Sequence, residues 1–335
     1  MGRSKIVLIT VLVLLSILAT NCAPAASSEE PEAKVWKLAA IFPGVITDAD
    51  YNTLAYEGIV GLQNETGIET AYSESVAVPD VDRVMREYID AGFNIIWTHG
   101  GQFVTQTAEL ATQFPEVVFI AEGDDALADA PANLWFIDRN FHVGYYAIGA
   151  IAARATKTGK IGYLGGLTLP FSYAEAHAVQ QAVADSGLDV EVKMVWTGDF
   201  NDPTKARQVA DALIAEGCDV IMGSLNLGMF GLFEAVKASD QTVLVTAKYT
   251  DKSSYAPENY ITSFIYDFSV PLKSIYDSVQ AGELGGYYPL GFETGALIQT
   301  PLQNVEASVA TEVEAIINEV NTGKIQVVKD TSEIK

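Results

Sequence analysis

The stretch Gly44-Val45-Ile46-Thr47-Asp48-Ala49-Asp50-Tyr51-Asn52 lies between an apolar run, Leu38 to Ile41, and a helix-like segment through Tyr56, Glu57 and Gly58. Two carboxylates, an aromatic ring and an amide crowd together there. This set suits binding: carboxylates and amides hold hydroxyls and ring edges, and a phenol ring stacks on a flat heterocycle. In an open α/β sheet, a strand tip feeding a helix N-terminus is where such side chains and free backbone N–H donors converge. The local alternative is that Asp and Asn shape turns and cap helices, which is how Asp50 reads, and that Tyr51 is the first buried residue of the helix.

The elements that position this loop alternate between strand and helix signals, which predicts βαβ units and largely parallel sheets. Expected strands are Val35 to Ile41, Thr70 to Val76, Phe93 to Thr98, Val117 to Ala121, Leu134 to Asp138, Lys160 to Leu164, Val190 to Trp196, Val220 to Ser224 and Thr242 to Thr246. Expected helices are Asp80 to Ala91, Val104 to Phe114, Val143 to Lys157, Asp202 to Glu216 and Phe230 to Ala238, with Asp80 and Asp202 as starts and Gly92, Gly159 and Gly217 as stops. Ile89-Asp90-Ala91-Gly92-Phe93-Asn94-Ile95-Ile96-Trp97 echoes Ile214-Ala215-Glu216-Gly217-Cys218-Asp219-Val220-Ile221-Met222 in character at each position. Each copy is a helix end, a glycine and a buried strand, so two lobes on one plan are expected to face each other across a cleft.

The 335 residues suffice for two lobes, and a hydrophobic content of 49% excludes a mainly disordered chain. Arg3 and Lys5 precede an uncharged apolar run from Ile6 to Ala19, which reads as a signal sequence over residues 1–22. Cys22 opens a tether rich in Ala, Pro, Ser and Glu over residues 23–34; the pattern resembles a bacterial lipoprotein signal, which implies lipidation of Cys22. Ordinary cleavage near Ala23-Pro24-Ala25 and a soluble product is the alternative. With 43 acidic and 20 basic residues the formal charge is −23, a surface that argues against nucleic acid or anionic lipid as partner. Cys218 sits in an apolar run and reads as a buried small residue, with no second thiol left for an internal disulfide. His99, His142 and His177 lack metal-ligand spacing, and no cofactor is implied.

Five segments, in order, resemble the basic-membrane-protein family of ABC-transporter substrate-binding lipoproteins, many of which bind purine nucleosides. They are Asp48-Ala49-Asp50-Tyr51-Asn52 with Gly58; Phe114-Pro115-Glu116-Val117-Val118-Phe119; Thr156-Lys157-Thr158-Gly159-Lys160-Ile161-Gly162 with Gly165-Gly166 and Pro170; Thr197-Gly198-Asp199-Phe200-Asn201-Asp202-Pro203; and Ala256-Pro257-Glu258-Asn259-Tyr260-Ile261-Thr262-Ser263. The resemblance runs from about Lys37 to Leu302. It implies a type I periplasmic-binding-protein fold, α/β, with two doubly wound lobes joined by a three-crossover hinge. The lobes are expected at 35–141 plus 268–292 and at 142–267 plus 293–330. The resemblance further implies a nucleoside-like ligand in the interlobe cleft, an ABC permease with its ATPase as partners, and membrane attachment through the lipid anchor alone. A lipoprotein that presents ligand to a signalling receptor, or a binder of an anionic or sugar-like solute, is the alternative.

Carried onto this chain, the resemblance implies Tyr51 as the stacking ring and Asp48 and Asn52 as hydrogen-bonding groups. Gly101 lets backbone approach the ligand, with Phe103 as a second stacking face or plain helix core. Glu122, with Asp124 beside it, falls where relatives often place an Asp near the cleft; a surface turn is its alternative. Phe171 and Asn226 are expected from the second lobe. Relatives tend to have Gly-x-Asp where this chain has Ala247-Lys248-Tyr249-Thr250-Asp251. A cation there, Lys248, is expected to favour an anionic or carbonyl-rich ligand, with Asp251 displaced by a few positions. Catalysis finds little support. His99-Gly100-Gly101 looks like the oxyanion loop of esterases, but no Gly-x-Ser-x-Gly elbow accompanies it, and neither Gly159-Lys160 nor Gly162 to Gly166 forms a phosphate or dinucleotide loop.

Overall fold

The structure, a computed structural model, describes residues 34–124 and 127–334; the apolar leader and Cys22 lie outside the described residues. Two six-stranded sheets carry the fold. The first holds β1 (Lys37–Ile41), β2 (Glu69–Ser73), β3 (Ile95–Thr98), β4 (Val118–Gly123), β5 (Leu134–Arg139) and β11 (Gly286–Leu290), in the order β11-β5-β4-β3-β1-β2. The second holds β6 (Lys160–Gly165), β7 (Glu191–Trp196), β8 (Val220–Ser224), β9 (Leu244–Tyr249), β10 (Tyr260–Tyr266) and β12 (Ala296–Ile298), in the order β12-β10-β9-β8-β6-β7. Substituting β6 for β1 and so on turns one order into the other. The echoed segments end on β3 and β8, the same place in each sheet. All neighbours pair in parallel except β10 with β12, which is antiparallel.

Central strands such as Ile95–Thr98 and Val220–Ser224 are buried at every residue, because helices cover both faces of a parallel sheet. Of the expected helix starts, Asp202 caps Pro203–Ala215, its side chain accepting from the N–H groups of Thr204 and Lys205, whereas Asp80 makes no side-chain cap. Gly92 and Gly217 follow helix ends with φ of 88° and 92°, the left-handed region where a Cβ is penalised. Four helices escaped the sequence reading in whole or part: Tyr51–Thr66, Pro170–Ser186, Ser269–Gln280 and Ala307–Asn321. So did β10, β11 and β12. The chain passes between sheets after β5, after β10 and after β11.

His142 is the second residue of the helix Phe141–Ala155, at the first of these passages. Burial, with the Lys329 ammonium nearby, pushes its imidazole down to about 3. The unfolded chain takes up a proton at this residue as pH falls below about 6.5, whereas the folded chain does not until about 3, so stability at this site is lost as pH falls through that window. Between pH 7 and pH 5 the wild type is expected to lose about 2 kcal/mol more than His142→Gln. Urea unfolding of both proteins at the two pH values measures this; parallel losses would mean that the imidazole titrates normally.

Candidate functional site

In both sheets the strand order reverses beside the first strand of the unit, at β1/β3 and β6/β8. Loops leaving the carboxyl ends of strands at such a point diverge and leave a crevice. Here the crevices of the two sheets form one cavity of about 750 Å³. From the first sheet it is lined by Gly44, Tyr51, Asn52, Gly101, Gln102, Asp124 and Arg139, and from the second by Leu167, Leu169, Phe171, Phe200, Asn201, Asn226 and Tyr249.

The first wall is polar and fixed by a buried network. Asp48 is its turn-maker: one carboxylate oxygen accepts from the N–H of Asp50 at 3.0 Å and of Thr53 at 3.0 Å, and the other from the Asn52 amide at 2.7 Å. Burial opposes the charge, but these hydrogen bonds outweigh it and hold the Asp48 carboxyl below its ordinary value. Asp48 thus takes the turn-shaping role expected of Asp50. Asp50 makes no cap; its side chain reaches the Lys252 ammonium, and burial pushes its carboxyl up to about 7 against the pull of that cation. The Asn52 amide lines the cavity, yet it is engaged by Asp48 and by the Gly44 N–H at 3.3 Å.

Tyr51 does not present a free ring. It stacks on His99 with centroids 3.8 Å apart, and its hydroxyl donates to Glu122 and accepts from Arg139 Nη1 at 2.9 Å. Glu122 is wholly buried beneath the wall. Burial favours its neutral form, but His99, whose Nδ1 lies 3.0 Å away, and Arg139 hold its carboxyl below the ordinary range. Arg139 continues to Asp124 Oδ2 at 2.9 Å. Its Nε and Asp124 Oδ1 are buried and have no partner among the described residues. Gly101 makes room for this guanidinium: a Cβ there would stand 3.0 Å from Arg139 Nη2.

The second wall is aromatic. Phe171 and Phe200 lie nearly parallel, 18° between planes and 5.9 Å between centroids. Phe200 owes its place to Gly166, where a Cβ would come within 2.1 Å of the ring, and to the N–H groups of Asn226 and Gly228, which donate to the Phe200 carbonyl at 3.0 and 2.9 Å. Behind this wall sits Lys248, fully buried and paired with Glu175, which also accepts from Tyr163 at 2.9 Å and Ser224 at 2.7 Å. The ammonium lies 4.1 Å from the centre of the Phe141 ring and 4.9 Å from that of Phe171. Burial lowers its affinity for a proton and Glu175 restores part of it.

Of the residues expected from sequence, Tyr51, Asn52, Gly101, Phe171 and Asn226 meet around the cavity. The others do not line it, and Phe103 takes the core alternative. Asp48 is a turn-maker, and Phe103 is core, packed under β3 and β4 with no exposed surface. Glu122 is an anchor for Tyr51 and Arg139. Lys248 places no net charge at the cleft, because Glu175 neutralises it from a helix the sequence reading did not find. Asp251 is exposed and accepts from the Ser253 N–H at 2.8 Å in its own turn. Arg139, Phe200, Gln102 and Asn201 were missed as site residues; Phe200 and Asn201 stand in one of the family-like segments, but Arg139 ends a strand, β5, of no special pattern.

Residues 35–331 match the family described as ABC transporter substrate-binding protein, PnrA-like. Basic membrane protein A1 of Borrelia garinii subsp. bavariensis is 30% identical over 241 residues, 70% of each chain. A purine-binding protein of Brucella abortus is 27% identical over 199 residues, 59% of this chain and 55% of that one. In three dimensions, an ABC transporter solute-binding protein of Aeropyrum pernix superposes with a TM-score of 0.76 at 20% identity, covering 89% of this chain and 94% of the other. One of Conexibacter woesei gives 0.74 at 23%, covering 89% and 100%. Two sheets of one topology, a cavity at their paired switch points and a match across nearly all the described chain agree: this type I periplasmic-binding-protein fold belongs to the PnrA-like family of ABC transporter substrate-binding proteins.

Proposed function

We propose that this protein captures a neutral nucleoside, with a purine base, and delivers it to an ABC permease from outside the cytoplasm, held at the membrane by a lipid on Cys22. The observation that carries the ligand reading is the charge balance of the cleft. Its lining cation, Arg139, is paired with its lining anion, Asp124, and Lys248 behind the wall is neutralised by Glu175. A site so balanced favours a neutral ligand. The parallel Phe171 and Phe200 rings offer π-faces to a base, and the Arg139 guanidinium and Asp124 carboxylate, which line the cavity, bring donor and acceptor chemistry suited to the edge of a purine. The amides of Gln102, Asn201 and Asn226 suit ribose hydroxyls. The purine-binding relative in Brucella abortus supports the same class. Nothing in this arrangement requires chemistry on the ligand.

Thermal and urea unfolding of protein stripped of ligand by refolding tests this. Adenosine or inosine at about 100 times its dissociation constant is expected to add about 2.7 kcal/mol, while adenosine monophosphate, ribose and glucose add nothing. Stabilisation by the phosphate or the sugar alone would overturn the assignment. Phe171→Ala is expected to weaken nucleoside binding by about 1–3 kcal/mol, roughly 5- to 150-fold, in a calorimetric titration. An unchanged constant would move the base away from that wall. Anchoring has its own test: Cys22→Ala moves the protein from the membrane to the soluble fraction, and no change in fractionation refutes lipidation.

A further inference from the structure

The ion pair of Asp50 with Lys252 spans the cleft. Asp50 precedes the helix Tyr51–Thr66 that follows β1 of the first sheet, and Lys252 follows β9 of the second; their side chains are 2% and 3% exposed. The ammonium is held on its own side by the Lys248 carbonyl at 3.1 Å and Thr250 Oγ1 at 2.8 Å. Thr250 adds its own reach across the cleft, donating to the Ala49 carbonyl at 3.4 Å and lying 3.5 Å from Asp50 Oδ1. The two residues adjoin the walls themselves: Asp50 is bonded in sequence to Tyr51, and Tyr249 stands three positions before Lys252.

We propose that Asp50 and Lys252 form a latch between the two walls of the cleft, positioning residues that set how long the two walls stay together around a ligand. What matters is where an orphaned charge can go. A buried pair inside one lobe, once broken, leaves a charge that only unfolding can hydrate, so the loss appears in global stability. A pair that joins two lobes is different. Separation of the walls exposes both residues to water without disturbing either sheet, so breaking the pair shifts the open and closed populations and leaves each lobe intact. Because separation precedes release, the loss falls on the dissociation rate and hardly on association.

The proposal rests on the cleft being the ligand site, but one arm of its test needs no ligand. Asp50→Ala, Lys252→Met and the double variant are compared with wild type at pH 8, where Asp50 is ionised. Small-angle scattering of the ligand-free proteins is expected to show a larger radius of gyration in both single variants, with recovery toward wild type in the double variant. Stopped-flow binding of adenosine is expected to show dissociation at least tenfold faster in the single variants, with association within about twofold. Unchanged scattering and unchanged dissociation in folded single variants would overturn the latch. So would a fall in the urea midpoint with unchanged scattering, the signature of a static structural pair. If adenosine fails to bind wild type, the nucleoside reading falls while the scattering still decides the latch.

Discussion

Glu175→Gln is expected to lower the free energy of unfolding by about 3–5 kcal/mol, because it strands the fully buried Lys248 ammonium without its carboxylate. The loss is bounded by chemistry: burial already lowers the affinity of Lys248 for its proton, so the orphaned amine sheds it before the fold is lost. The double variant Glu175→Gln/Lys248→Met is expected to recover most of the stability, since the Phe141, Phe171 and Tyr249 rings around the ammonium suit an apolar chain equally well. Urea unfolding of the three proteins decides this. A cost below about 1 kcal/mol for Glu175→Gln would show that Lys248 is not charged and paired, and the neutral reading of the cleft would lose its main support.

Arg139→Met is expected to cost a similar amount, about 3–5 kcal/mol, and to weaken ligand binding at the same time. Its guanidinium is 6% exposed and serves Tyr51, Glu122 and Asp124 together. Removing it leaves Glu122 wholly buried with only Tyr51 and His99 beside it, and frees the Tyr51 hydroxyl to turn. Glu122→Gln in the same chain is expected to restore much of the stability but little of the affinity, because the donor at the cavity wall is still missing. Denaturation and nucleoside titration on both variants separate the two effects. Full recovery of affinity with the second change would make Arg139 a purely structural residue.

The loop from Gly44 to Asn52 shows how far residue types alone reach. Its composition marked a strand tip at a ligand crevice, and the cavity is there. The turn-shaping role fell to Asp48 and not to Asp50, because both are good caps and nothing local distinguishes them. What distinguishes them is Lys252, some two hundred residues away, which claims Asp50 and leaves the turn to Asp48. Lys248 fails for the same reason. Its neutral setting depends on Glu175, and the helix Pro170–Ser186 that carries Glu175 has no clear apolar stripe, being buried on several sides.

The alternation of strands and helices, the repeated helix-glycine-strand segment and the five family motifs determined the fold class, the duplicated plan and the family. These are local signals, written in patterns that recur every few residues, and a chain that carries them has few other ways to bury its strands. Which carboxylate meets which cation, which ring faces the cavity and which packs beneath it were decided only by tertiary structure. Those outcomes depend on pairs far apart in sequence, Asp50 with Lys252, Glu175 with Lys248 and Tyr51 with Arg139, whose energies come from shared burial.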